Sequence, residues 1–223
     1  CAEMVAQTLE ALIAAQAKDM VHRDIKPSNL MVKWLPSGKF QFKLLDFGLA
    51  KFSAKASLQT IDLGNTVLGS IHFMAPEQFE RAPIDGRTDL YAMACVYYYG
   101  LSGFYPFDGE TGPEVMAAHL QHHVTPLREA RPDIGKRNAD WIMWLMSRDI
   151  NARPASAQEA SDVYFNPATP VPGAAPAKPP ARPGGGPATG PVPVRPPTFR
   201  VRLPVPAAGA AAAPAGATPA VAG

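Results

Sequence analysis

The sequence HRDIKPSN occupies residues 22–29 and is followed by DFG at residues 46–48 and APE at residues 75–77. Each of these short strings is a weak signal by itself, because one specified residue matches by chance at odds of roughly one in twenty. The ordered set is a strong signal, since all three strings must match together at workable distances.

Hydrophobic patterning predicts the elements around these strings. Apolar residues recur at helical spacing before the first string, which predicts a helix over about residues 2–18. Residues 30–32 and 40–44 look like strands, with a turn at residues 36–38 between them. Residues 46–77 lack clear periodicity, and a loop of that length in a compact domain tends to be functional. Further helices are predicted near residues 86–101, 112–123, 137–147 and 156–163. The predicted fold class is α+β, mainly helical with a short β-hairpin.

Residues 166–223 differ in composition from the rest of the chain. They are dominated by Pro, Ala and Gly, contain no acidic residue and carry five Lys and Arg residues. Such a stretch cannot bury enough apolar surface to offset its conformational entropy, so we expect a disordered linker with polyproline II character. We place the domain boundary between residues 165 and 166.

Charge and composition exclude several classes of protein. The chain has a net charge of +2, and without the five tail cations residues 1–165 are left at −3, so we expect no nucleic-acid binding. No stretch reaches the roughly 18 apolar residues of a transmembrane helix, and no secretory signal is visible. Two cysteines, Cys1 and Cys95, suffice for neither a disulfide framework nor a zinc site. We expect a reducing, cytoplasmic compartment.

The three strings together resemble the eukaryotic-like serine/threonine protein kinases. The sequence MAPEQ at residues 74–78 looks like their bacterial branch. The resemblance covers about residues 1–165 and implies the larger, helical C-terminal lobe of the catalytic domain. It further implies a parent enzyme that transfers the γ-phosphate of ATP, with Mg²⁺, to Ser or Thr hydroxyls of protein substrates.

The resemblance also implies roles for the charged and amide residues of the first two strings. Asp24 corresponds to the carboxylate that orients the incoming hydroxyl and accepts its proton. Lys26 corresponds to the lysine that contacts the transferred phosphate. Asn29 and Asp46 correspond to the Mg²⁺ ligands, in keeping with the preference of that ion for oxygen.

Supporting roles follow by the same correspondence. Phe47 and Gly48 would pack and hinge the metal-binding Asp46. Asp89 matches the buried carboxylate that holds the backbone of the catalytic loop, residues 22–29. Glu77 and Arg153 match, by the resemblance, the ion pair that ties the activation segment to the lobe.

Regulation is expected in the segment between the second and third strings. Arg23 precedes the catalytic Asp24, and kinases of this pattern use such an arginine to hold a phosphorylated loop. Thr60 and Thr66 are the candidate phosphorylation sites. Ser70 stands where the family usually has threonine, and we expect it to form a hydrogen bond near Asp24.

The family's N-terminal lobe has no counterpart in residues 1–223. The sequence has no glycine-rich phosphate loop, no strand lysine for the α- and β-phosphates and no upstream helix with its glutamate. The first residues also resemble the middle of a domain, so we expect a fragment that works with a missing N-terminal lobe in cis. We expect this fragment alone to be inactive. In the parent protein, the tail could lead to a membrane tether.

Two other functions fit parts of the sequence. A pseudokinase or truncated scaffold would keep the motifs and bind partners without catalysis. An adaptor would use the tail, in which residues 193–196 fit a PxxP ligand of SH3-like domains, although such matches arise freely in a proline-rich stretch.

Overall fold

The computed structural model describes residues 2–47 and 69–173. It confirms the predicted fold class, a mainly helical body with one short antiparallel hairpin. The strands are β1 (Leu30–Trp34) and β2 (Phe40–Leu44), and 3₁₀ turns lie at Pro27–Asn29 and Ile150–Ala152. The helices are α1 (Ala2–Gln16), α2 (Pro76–Glu80), α3 (Gly86–Ser102), α4 (Gly112–Gln121), α5 (Leu127–Ala130), α6 (Lys136–Leu145) and α7 (Ala157–Phe165).

Helix α3 forms the centre of the core. Every residue from Thr88 to Tyr98 is buried, as expected for a helix that is apolar nearly all round. Asp85 caps the start by accepting a hydrogen bond from the Arg87 N–H at 2.8 Å. Gly103 ends the helix at a φ of 79°, a left-handed conformation that glycine adopts without strain. In the part of the chain that the structure describes, neither α3 nor any other helix is long and apolar enough to cross a membrane.

Helix α6 docks on this core through two tryptophans. Trp141 and Trp144 are both buried, as their spacing on one helix face predicts. Each indole N–H donates to a backbone carbonyl at 2.9 Å, Trp141 to Ala160 and Trp144 to Ala152. The buried indoles thus keep their polar atoms paired while they join α6 to α7 and to the second 3₁₀ turn.

Helix α1 connects the hairpin to the helical core through side-chain amides. Near its start, Gln7 donates to the Phe40 carbonyl at 3.2 Å and accepts from the Phe42 N–H at 2.7 Å. This amide therefore pairs with β2 much as a neighbouring strand would. Near its end, Gln16 forms hydrogen bonds with backbone groups at the starts of α3 and α7.

The hairpin is exposed at its outer end. The register runs from Leu30 opposite Leu44 to Trp34 opposite Phe40, so β1 is two residues longer than predicted. Trp34 packs edge-on against Phe40 with ring centroids 5.8 Å apart, which explains the extra length. The Trp34 residue is nevertheless 54% exposed.

The inner end of the hairpin leads directly to the sequence motifs. The Leu45 N–H donates to the Asn29 carbonyl at 2.8 Å, so backbone pairing continues one step past the hairpin. This bond sets the end of residues 22–29, hereafter loop 22–29, beside Asp46.

The first residues of the predicted linker pack against the body. Arg137 on α6 donates to the Thr169 carbonyl at 2.8 Å and also to the carbonyls of Asn166 and Val163. Val171 is partly buried against the core. The contacts of the body therefore extend to about residue 171, while residues 174–223, which carry most of the predicted linker, lie outside the described residues.

We expect truncation after residue 165 to destabilise the chain and truncation after residue 173 to leave its melting temperature unchanged. The shorter chain loses the Arg137–Thr169 hydrogen bond and the packing of Val171, since both partners lie beyond residue 165. A loss of about 1 kcal/mol would lower the melting temperature by about 2–4 °C. Thermal unfolding followed by circular dichroism measures the difference. Equal melting temperatures for the two truncated chains would contradict the packing role.

Candidate active site

Loop 22–29 is held on the core by one buried carboxylate. Asp89 lies in the first turn of α3 and is 2% exposed. Its Oδ2 accepts from the His22 N–H at 2.7 Å and its Oδ1 accepts from the Arg23 N–H at 2.8 Å. Burial raises the pKa of Asp89 to about 6, against the lowering effect of these two backbone hydrogen bonds.

His22 joins loop 22–29 to the residues after the hairpin. Its ring is fully buried and lies edge-on to Phe47, with centroids 4.7 Å apart. The Asp24 N–H donates to Nδ1 at 3.3 Å, so the ring proton belongs on Nε2. From there it is donated to the Leu45 carbonyl at 2.7 Å. His22 thus acts through packing and hydrogen bonds and leaves no nitrogen for acid–base work.

The structure brings Asp24, Lys26, Asn29 and Ser70 together. Lys26 Nζ lies 2.9 Å from Asp24 Oδ2 and donates to Ser70 Oγ, also at 2.9 Å. Asn29 Nδ2 donates to the Asp24 carbonyl at 2.8 Å and to Asp24 Oδ2 at 3.2 Å. Among the residues that the structure describes, none donates a hydrogen bond to Asp24 Oδ1. That oxygen can accept a hydrogen bond from an incoming hydroxyl group.

The donor set around Asn29 and Asp46 fits magnesium. Asn29 uses its amide nitrogen toward Asp24, so its amide oxygen remains as an acceptor. Asp46 adds carboxylate oxygens and is exposed, with a left-handed φ of 63°. The described residues contain no group of three or more His, Cys, Asp and Glu side chains able to hold a metal ion. Two protein ligands agree with Mg²⁺, which usually takes the rest of its shell from water and phosphate.

A buried ion pair fixes α2 to Arg153, which directly follows the second 3₁₀ turn. Arg153 forms a two-point contact with Glu77, Nη1 to Oε1 at 2.7 Å and Nη2 to Oε2 at 2.9 Å. Their side chains are 0% and 5% exposed. Thr88 donates to Glu77 Oε1 at 2.7 Å, and the guanidinium lies over the Tyr91 ring at 4.6 Å. Burial tends to raise the pKa of Glu77, but the hydrogen bonds and charge of Arg153 outweigh it and lower this pKa.

Some predicted site residues lie outside the described ranges. Gly48, Thr60 and Thr66 belong to residues 48–68, so their roles stay predictions. Arg23 is described: its φ is 67°, and its Nε is buried without a hydrogen-bond partner among the described residues. Its predicted contact with a phosphorylated threonine also stays a prediction.

Gln78 was missed by sequence reasoning. Its Nε2 donates to the Arg23 carbonyl at 2.9 Å, and its Oε1 accepts from the Ala75 N–H at 2.9 Å. The second bond had a sequence signal, because Gln at the third helical position commonly reaches back to the residue that precedes the helix. The bond to Arg23 had none, since 55 residues separate the partners.

Comparison with known protein families places the sequence in one of them. The family model described as the protein kinase domain matches residues 1–165. The chain belongs to the protein kinase family. The charged and amide cluster at Asp24 and the ion pair of Glu77 with Arg153 therefore lie within a protein kinase domain.

Relatives of this kinase chain are bacterial serine/threonine protein kinases. It is 33% identical over 161 residues to the serine/threonine-protein kinase pkn2 of Myxococcus xanthus, covering 71% of this chain and 19% of that protein. It is 32% identical over 158 residues to pkn3 of the same organism, covering 70% and 29%. It is 31% identical over 153 residues to PrkC of Bacillus subtilis, covering 69% and 22%. The chain thus spans less than a third of the length of these relatives.

We expect Arg153→Met to destabilise this kinase domain by about 3–5 kcal/mol, because it leaves the Glu77 carboxylate buried without its partner. The control is Arg148→Met, which removes an ion pair with Glu80, whose side chains are 46% and 42% exposed, together with the hydrogen bond from Arg148 Nε to the Leu120 carbonyl at 2.6 Å. Such a surface ion pair contributes about 0–1 kcal/mol to the free energy of unfolding. Urea unfolding at pH 7 compares the two variants. Equal losses in the free energy of unfolding would show that the buried pair stabilises the chain no more than the exposed pair does.

The contribution of Asp89 to the stability of the chain should depend on pH. Its pKa of about 6 in the folded chain lies above the ordinary aspartate value of 3.8, so between these two pH values the folded state binds the extra proton. Through this group, the wild-type chain gains stability as the pH falls from 7 to 4 and loses it as the pH rises through 6. Asp89→Asn lacks this dependence.

Urea unfolding of both proteins at pH 7, 6, 5 and 4 tests the pH prediction. The free energy of unfolding of the wild type minus that of Asp89→Asn should increase as the pH falls. Other titrating groups are common to both proteins and largely cancel in the difference. A difference that stays flat over this range would mean that the pKa of Asp89 is not raised.

Proposed function

We propose that this chain supplies the catalytic lobe of a kinase that transfers the γ-phosphate of ATP to Ser or Thr hydroxyls of proteins. Membership of the protein kinase family supports kinase activity. Transfer to Ser or Thr is further supported by residues 22–29 and their neighbours, which provide the parts that phosphoryl transfer needs. These parts are a carboxylate for the hydroxyl, a cation for the phosphate and oxygen ligands for a metal ion.

One observation carries the proposal. Asp24 is fixed by Asn29 at its carbonyl and by Asn29 and Lys26 at Oδ2, at 2.8–3.2 Å, while its Oδ1 accepts no hydrogen bond from the described residues. A carboxylate that served only to cap a turn would not need a lysine and an amide on the same oxygen. Such an arrangement orients one oxygen toward an incoming donor.

The proposed step uses these groups directly. The substrate hydroxyl donates to Asp24 Oδ1, its oxygen attacks the γ-phosphorus, and its proton passes to Asp24. The bond between the γ-phosphorus and the bridging oxygen breaks, and ADP leaves with that oxygen. Lys26 lies beside Asp24, so its positive charge can stabilise the transferring phosphoryl group.

Asn29 and Asp46 are the residues that would hold Mg²⁺. When bound, the ion would neutralise charge on the phosphate oxygens. The backbone bond between Leu45 and Asn29 keeps the two ligand-bearing positions adjacent.

We further propose that catalysis needs a glycine-rich loop and its paired lysine in addition to residues 1–223. In kinases these parts cover and align the phosphates, and alignment accounts for a large share of the rate. Residues 1–223 alone should therefore bind Mg-ATP weakly and transfer no phosphate above background.

The test compares radiolabelled phosphate transfer by the full-length gene product and by residues 1–223. The full-length protein should be active, and Asp24→Asn should lower its kcat by a factor of about 10²–10⁴, as loss of a general base does. An unchanged kcat in Asp24→Asn would refute the assignment of the base. Asp24-dependent labelling by residues 1–223 alone would show that the glycine-rich half is not required.

A further inference from the structure

We propose that Gln78 is a positioning residue for Asp24, acting through the peptide bond between Arg23 and Asp24. This inference rests on the proposed function, because it concerns the placement of the proposed base. Gln78 is an uncharged side chain in α2 that touches no proposed substrate group. It matters because its two hydrogen bonds connect the Arg23 carbonyl to the Ala75 N–H.

The backbone just before Asp24 is in a strained conformation. Arg23 has a φ of 67°, a left-handed value that side chains other than glycine rarely adopt. Such a conformation persists only where surrounding bonds over-determine it. Rotation of the Arg23–Asp24 peptide would relieve the strain and move the Asp24 carboxylate.

Hydrogen bonds fix both sides of this peptide. Its N–H, which belongs to Asp24, donates to His22 Nδ1 at the long distance of 3.3 Å. Its carbonyl, which belongs to Arg23, accepts from Gln78 Nε2 at 2.9 Å. Asp89 holds the Arg23 N–H one step earlier in the chain. The Gln78 bond is thus the shorter of the two that resist rotation of the peptide.

The other end of Gln78 is itself anchored. Its Oε1 accepts from the Ala75 N–H at 2.9 Å, and the adjacent Glu77 is held by the buried pair with Arg153. Gln78 therefore links loop 22–29 to a rigid part of the body. Residues 69–78 are joined to that loop at both ends, because Lys26 bonds to Ser70 at the other end.

The alternative is that Gln78 serves only as a helix cap. A cap needs an acceptor for the Ala75 N–H, and glutamate would supply one with a favourable charge at a helix start. The bond to Arg23 needs a donor, which ionised glutamate lacks. Gln78→Glu therefore keeps the cap and places an oxygen against the Arg23 carbonyl.

The experiment measures kinetics of the full-length gene product carrying Gln78→Glu. The control, Gln158→Glu, makes the same chemical change in the first turn of α7, where the side chain is exposed and donates to Asp162 Oδ1 at 2.8 Å. We expect kcat of Gln78→Glu to fall at least fivefold, while KM for ATP changes less than twofold. Gln158→Glu should match the wild type in both constants.

A pH profile separates positioning from a general structural effect. Protonated glutamate can again donate to the Arg23 carbonyl, so the ratio of kcat for Gln78→Glu to kcat for wild type should rise as the pH falls from 8 to 5. Damage to the fold would leave the ratio flat or lower it. A kcat for Gln78→Glu equal to that of Gln158→Glu, or a ratio that does not rise, would overturn the proposal. If Gln78→Glu does not fold, Gln78→Met, which is similar in length and lacks a donor, must show the same loss of kcat.

Hydrogen–deuterium exchange of residues 1–223 tests the positioning role of Gln78 without a measurement of catalysis. Backbone amides of loop 22–29 should exchange faster in Gln78→Glu than in the wild type and in Gln158→Glu. If the wild-type full-length protein shows no Asp24-dependent transfer, the proposed function fails and this measurement alone decides whether Gln78 holds the loop. Identical exchange in all three proteins would overturn the positioning role.

Discussion

The two hydrogen bonds that the Asp89 carboxylate accepts are the constraint on which the site depends. Asp89 is rigid because it belongs to α3, whose residues are buried from Thr88 to Tyr98. It passes this rigidity to loop 22–29 through the His22 and Arg23 N–H groups. Without that support, the left-handed backbone at Arg23 would relax and the cluster at Asp24 would lose its geometry. A charge placed in the apolar core is costly, and here it orders a loop.

Charged groups in this chain act in two different ways. Asp89 and the Glu77–Arg153 pair are buried and fully bonded, so they define where loop 22–29 and α2 lie. Pairs such as Arg148 with Glu80 are exposed and are screened by solvent. The buried groups all meet α3, either as members of it or through Thr88 and Tyr91. Helix α3 therefore serves as hydrophobic core and electrostatic support together.

Sequence reasoning was most accurate where the signal is local or repeated. The helical periodicity of α1, α3 and α6 and the turn of the hairpin are short-range patterns, and the structure confirms these elements. Contacts such as Gln78 with Arg23 or Arg137 with Thr169 were not predicted. They join a side chain to a backbone carbonyl far along the chain, and a carbonyl has no residue type by which to recognise it. For the same reason the body extends past residue 165, where composition had already changed to that of the tail.

The placement of the three tryptophans gives this protein separate optical reporters. Trp34 stands 54% exposed on the hairpin, whereas Trp141 and Trp144 are buried with their indole N–H groups bonded to carbonyls. A water-soluble quencher would therefore reach the emission of the hairpin before that of the core. Loosening of the hairpin against α1 and melting of the helical body would change the spectrum at different wavelengths. Intrinsic fluorescence can thus follow the hairpin and the helical body separately, without any attached label.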